Sequence, residues 1–154
     1  EVRRFANYAK LWLSGATEHN EDSFDQEIGS RLSEDFSGVL PWGDVNTKQE
    51  FLAVIKFGYG RAKGLEIVVD EFQVLNQLCA DLTLVSYRET QSESGNPRQN
   101  NNKLRVVRRS TAILKTTTTT RDDGGGVGPL VIEWKHLHFT WIKAPQESGD
   151  PHSW

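Results

Sequence analysis

The sequence predicts an α+β fold: a curved antiparallel sheet wrapped around amino-terminal helices. Three observations carry this expectation. Ahead of Gly58 the apolar residues recur at helical spacing, with capping residues at the ends of the runs. From Leu65 onward the pattern changes to long segments rich in β-branched and aromatic residues, joined by polar connections. Helices first and then about four strands is the order of an α+β domain, not of alternating parallel units.

Taken in order, Phe5, Tyr8 and Trp12 fall at i, i+3 and i+7, one stripe of a helix from Val2 to Leu13 that Ser14-Gly15 ends. Glu18 to Asp25 reads as an acidic loop entering a second short helix around Phe24 to Leu32. Phe36 to Asp44 (FSGVLPWGD) interleaves Gly38, Pro41 and Gly43 with Phe36, Val39, Leu40 and Trp42. This is a turn-rich apolar loop, expected to pack over the core or to form one wall of a pocket. Thr47 and Glu50 have capping-box spacing and open a helix carrying Phe51, Leu52, Val54, Ile55 and Phe57, which stops at Gly58 to Gly60. Strands are expected over Leu65 to Leu75, Ala80 to Thr90, Leu104 to Lys115 and Trp134 to Ile142. Between them lie a polar loop, Gln91 to Asn102, and an extended mobile hairpin loop, Thr116 to Pro129. Residues 1–144 are expected to form one domain, and Pro145 to Trp154 a flexible tail.

Composition narrows the function classes. With 154 residues the chain is long enough to bury a sizeable core. A formal net charge of -3 gives no global drive towards nucleic acid or anionic membranes. Arg98, Lys103, Arg105, Arg108 and Arg109 are locally basic but lack the interleaved stacking aromatics of a single-strand binder. Neither nucleic acid nor membrane is therefore an expected partner. The single cysteine, Cys79, excludes an intrachain disulfide and is expected to be a buried thiol, compatible with a cytoplasmic location. No apolar run reaches the roughly 20 residues of a membrane-spanning helix. The chain begins at Glu1 and contains no methionine, so residues ahead of it are expected to be missing or processed, and a removed leader stays open. No metal or other cofactor is expected: His136 and His138 share a strand face, but no third ligand has a characteristic spacing.

The last strand is the most informative stretch. Alternation puts Trp134, His136, His138, Thr140 and Ile142 on one face and Glu133, Lys135, Leu137, Phe139 and Trp141 on the other, unless a bulge intervenes. Neither face is uniformly polar, so both are expected to be at least partly covered. Such a strand either lines a pocket or is a central core strand with hydrogen-bonded histidines. On the second strand Arg88 shares a face with Leu82, Leu84 and Ser86, and Tyr87 points the other way. On the third, Arg108 goes with Ser110 and Ala112, and Arg109 with Thr111 and Ile113. Sequence alone leaves both sets open.

Four segments carry a family resemblance in order along the chain: Tyr87-Arg88-Glu89-Thr90-Gln91, Gly95-Asn96-Pro97-Arg98, Arg108-Arg109-Ser110-Thr111-Ala112 and Trp134-Lys135-His136-Leu137-His138, behind the PWG loop and the helix from Lys48. Together they resemble the nuclear-transport-factor-2-like superfamily, the cystatin-like cone. Within it they resemble the association domain of calcium/calmodulin-dependent kinase, small stand-alone bacterial relatives and polyketide-cyclase-like proteins. The resemblance implies a homodimer and a pocket at the open end of the cone. It points to Arg88 and His138 as pocket residues, His138 being the candidate catalytic group, with His136, Trp134, Tyr87 and Arg109 around them. An arginine and an imidazole there would hold a small, partly apolar, anionic molecule. Asp70 either pairs with the arginine or orients the histidine, or is a surface residue. The alternatives are an assembly domain with a vestigial pocket, or an isomerase, dehydratase or cyclase. The acidic dyads of the isomerase and hydrolase members have no clear equivalents here.

Overall fold

Helix α1 (Val2–Ser14) buries Val2, Phe5, Ala6, Ala9 and Trp12 along one side, the stripe that the spacing predicts. The computed structural model describes residues 1–93, 105–120 and 127–143. Gly15 ends α1 in the left-handed region, with φ 70°. The last carbonyls of α1 are then taken from outside: Gly60 N–H donates to Trp12 O at 3.2 Å and Ala62 N–H to Leu13 O at 2.9 Å. Helix α2 (Glu21–Glu27) is capped by the Asn20 side chain and followed by one 3-10 turn, Gly29–Arg31. Helix α3 (Lys48–Phe57) opens with the expected capping box, Thr47 and Glu50 each satisfying the other's backbone N–H.

Six strands form the sheet, two more than the sequence pattern suggested: β1 (Leu32–Val39), β2 (Val45–Thr47), β3 (Leu65–Gln77), β4 (Leu82–Glu93), β5 (Arg105–Thr120) and β6 (Val127–Lys143). Their order is β2-β1-β6-β5-β4-β3. The sheet is curved and unclosed, and with the helices it makes the α+β cone expected. One junction departs from the antiparallel expectation, since β1 runs parallel to β6. The expected second helix ends five residues early, because Ile28-Gly29 breaks it and Leu32 to Val39 then enters the sheet. Its irregular burial, with Glu34 and Asp35 both exposed, has no clean alternation to read.

The expected loop at Thr116 to Pro129 is also revised. Thr116–Thr120 continue β5 and pair with residues from Val127 to Ile132 of β6. Threonine is β-branched, and a threonine run favours a strand even without apolar alternation. Residues 121–126, most of the expected loop at 91–102 and the expected tail lie outside the described residues. Cys79 is exposed, not buried. It lies in the β3–β4 connection, where its thiol donates to Asp81 Oδ1 at 3.0 Å.

The core sits between the helices and the concave face of the sheet. Trp12, Phe24, Ile28, Leu32, Trp134 and Leu137 are all 2% exposed or less. Trp12 anchors α1 to α3 through its indole N–H, which donates to Ile55 O at 3.1 Å, and stacks at a tilt on Phe24. The other face of the sheet carries no helix among the described residues. Among the described residues no helix is long and apolar enough to cross a membrane.

Candidate functional site

Register decides which side chains enter the cone. Across β4 and β5 the pairs Val85 with Ala112, Tyr87 with Ser110 and Glu89 with Arg108 point inward; all but Arg108 are buried. On β6 the pairing is regular from His136 to Phe139, but it shifts by one residue between the Ile113 and Leu114 pairs. Lys135 is the extra residue, and this bulge brings Trp134 and Leu137 to the same inward face. His136 and His138 are left on the outer face.

A cavity of about 570 Å³ lies inside the cone. One wall is α1, through Val2, Phe5, Ala6, Ala9 and Leu13; Ala6 and Ala9 are too small to fill the space in front of them. The loop Leu40-Pro41-Trp42 and the α3 residues Phe51, Val54 and Ile55 make a second wall, which Arg61 and Ala62 continue. The sheet contributes Leu65 and Ile67, then Tyr87, Glu89, Gln91 and Arg108, and then Leu137, Phe139 and Trp141. Trp42 is half exposed, which places it at the rim.

Apart from Arg61, the charged and amide groups of the cavity gather on β4 and β5. Glu89 is 5% exposed. Its Oε1 accepts from Arg108 Nε at 3.0 Å, from Arg108 Nη2 at 2.5 Å and from Gln91 Nε2 at 2.7 Å. The Arg108 guanidinium also lies over the Phe139 ring, 4.0 Å from its centroid. A carboxylate this buried is tolerated because a cation and an amide hold it in place. Burial, and then the charge of Glu89, push the Tyr87 hydroxyl above its ordinary pKa, so it stays a protonated phenol able to donate.

The residues singled out from sequence divide between the two faces. Tyr87 lines the cavity, and Trp134 is buried in the core with its ring 5.0 Å from Phe5. Arg88, Arg109, His136 and His138 are on the outer face, contrary to the placement expected for them. Arg88 makes a two-pronged pair with Asp70, with both contacts at 2.8 Å, so the ion-pair reading of Asp70 holds. It also reaches Glu71, which Arg109 contacts in turn. Glu71 has φ 48° at a bulge in β3, and that kink puts its carboxylate between the two arginines. Arg88 and the β3 carboxylates therefore reinforce one another: pairing with Arg88 holds the Asp70 carboxyl below the usual carboxylate range. His136 Nδ1 is 2.7 Å from Ser37 Oγ. Burial, and then the neighbouring His138, lower its pKa.

Sequence reasoning missed Glu89, Gln91, Phe139 and Trp141, and left Arg108 as one of two options. The available signal was the opposite face of the same strands. Choosing it required knowing that a bulge separates Trp134 from His136.

Comparison with solved structures fits this geometry. A nuclear-transport-factor-2-like protein of unknown function from Pseudomonas aeruginosa is 28% identical, with a TM-score of 0.70 over 92% of this chain and 95% of its own. The chain has the nuclear-transport-factor-2-like fold. The same fold relates this chain to a hexachlorocyclohexane dehydrochlorinase, at 10% identity and a TM-score of 0.61 over 98% of this chain and 92% of that one. It also relates it to the association domain of the Caenorhabditis elegans calcium/calmodulin-dependent kinase II, at 12% identity and a TM-score of 0.54 over 78% and 85%. No protein-family model and no curated protein matches the sequence. Proteins of this fold include enzymes and assembly domains, so the activity has to be argued from the cavity itself.

Proposed function

We propose that this chain binds a small, mostly apolar molecule in its cavity, with Tyr87, Glu89 and Arg108 holding the one polar end. The observation that carries this reading is the cavity of about 570 Å³, lined mostly by aromatic and aliphatic side chains, with Tyr87, Glu89, Gln91 and Arg108 gathered on two adjacent strands. That volume is within the few hundred to about 1,000 Å³ of small-molecule sites, and a few convergent polar groups in an apolar wall are their usual composition. The dehydrochlorinase of the same fold acts, by its name, on a small apolar compound, which supports the reading.

Native mass spectrometry of the purified protein, followed by extraction of what it retains, tests this directly. An Ala9→Phe variant supplies the control, because its ring would project into the cavity. Wild type should retain an apolar compound that the folded variant does not. Equal retention by both, with both folded by circular dichroism, would remove the cavity as the site.

A second observation favours assembly alongside binding. Val68 and Ile142 are more than half exposed on strands whose outer face carries the paired charges of Asp70, Glu71, Arg88 and Arg109. We propose that this face is covered by a second copy of the chain, and that the homodimer leaves the cavity open.

A further inference from the structure

We infer that the polar end of the cavity selects a neutral hydroxyl group, a phenol or an alcohol, over the carboxylate of the same skeleton. The inference rests on the cavity being a ligand site and concerns what that ligand carries. Among the described residues the charges inside are one carboxylate, Glu89, and one guanidinium, Arg108, bound to each other. Two N–H groups of Arg108 and one of Gln91 already converge on Glu89 Oε1. Among the described residues no donor reaches Glu89 Oε2. Among the described residues the interior thus has no cation left to neutralise an incoming anion. An anion there would lose its hydration and lie beside a like charge in an apolar wall, both of which disfavour the charged form.

A hydroxyl meets the opposite situation. It both donates and accepts, so it can donate to the unoccupied carboxylate oxygen while accepting from the guanidinium or from Tyr87. A hydrogen bond to an ionised partner is the stronger kind. Among the described residues the one further cation on the cavity wall is Arg61, which is exposed and stacked 3.5 Å from the Phe57 ring. Water and salt weaken its pull on an anion placed at Glu89.

Three probes of one skeleton test this at neutral pH: 2-naphthol, 2-naphthoate and 2-methylnaphthalene, titrated against wild-type protein by calorimetry or ligand fluorescence. The naphthol should bind about tenfold or more tighter than the methyl compound, the gain of one charge-assisted hydrogen bond. The naphthoate should bind more weakly than the naphthol. In Glu89→Gln the order of naphthol and naphthoate should invert, since Arg108 is released while the shape is kept. Should that variant unfold, the double variant Glu89→Gln with Arg108→Met removes both charges. It should still bind methylnaphthalene but lose the advantage of naphthol. Naphthoate binding as tightly as naphthol to wild type, or naphthol no tighter than methylnaphthalene, overturns the selectivity. Failure of all three to bind overturns the ligand-site reading itself.

Discussion

At the scale of single residues, two positions show how local constraint becomes stability. Gly15 holds φ 70°, and a Cβ there would meet Gly60 Cα at 3.1 Å. Gly15→Ala therefore combines a left-handed backbone with a clash against main chain that α1 itself hydrogen-bonds. The expected loss is about 1–3 kcal/mol, read as a lower denaturant midpoint with an unchanged slope. His136 gives a pH signature. Its pKa is lowered in the folded state by burial and by His138, whereas an unfolded histidine titrates near 6.5. The unfolded chain then binds more protons as pH falls below about 6.5, so this contribution is complete above that value and is lost as pH drops through the folded one. Asp70 acts in a separate window, because its depressed pKa costs stability only as pH falls below the ordinary carboxylate value of about 4. The midpoint of thermal unfolding should thus fall between pH 7.5 and 5.5 in wild type, and fall less in His136→Gln. Parallel curves for the two proteins would remove His136 as the cause.

At the scale of elements, the bulge at Lys135 organises the site. Strand side chains alternate with period two, so one extra residue moves everything beyond it to the opposite face. Deleting Lys135 should force Trp134, now 0% exposed, either out of the core or into a slipped pairing with Leu114. The expected result is loss of cooperative unfolding and of near-ultraviolet tryptophan signal. A variant that melts like wild type would show that β6 absorbs the deletion elsewhere. The capping box is the milder case. Thr47→Ala removes the side-chain acceptor of Glu50 N–H and should cost about 1 kcal/mol. These two elements also mark what the sequence could tell. Helix α1, the Thr47 cap and the four long strands follow from spacing and residue type, which are local properties. Strand β1 does not, because Glu34 and Asp35 interrupt its alternation, and β6, which joins it to the rest of the sheet, is about a hundred residues away. The candidate site failed for the same reason. Tyr87 and Arg88 are neighbours on one strand, and only pairing with β5 and β6 decides which of them the cone receives.

At the scale of the molecule, the proposed second copy of the chain would lie on the outer face of the sheet. The described helices cover the concave side alone, and exposed apolar residues such as Val68 and Ile142 on the other face are the kind of surface a partner covers. The charges on that face separate two explanations. Arg88, Arg109, Asp70 and Glu71 side chains are 37–40% exposed in the single chain. An ion network that wet is screened by solvent, so it does little for the fold of one subunit. Covered by a second copy, the same network loses its water, and any charge left unpaired becomes expensive. Arg109→Glu tests the difference, because it sets a third carboxylate beside Asp70 and Glu71. If the face is an interface, wild type should sediment as a dimer at micromolar concentration and the variant as a monomer. The isolated variant subunit should keep its fold and still bind 2-methylnaphthalene, since the cavity is on the other side of the sheet. A wild-type monomer at that concentration would end the dimer proposal. A variant that stays dimeric would place the interface elsewhere, away from Arg109.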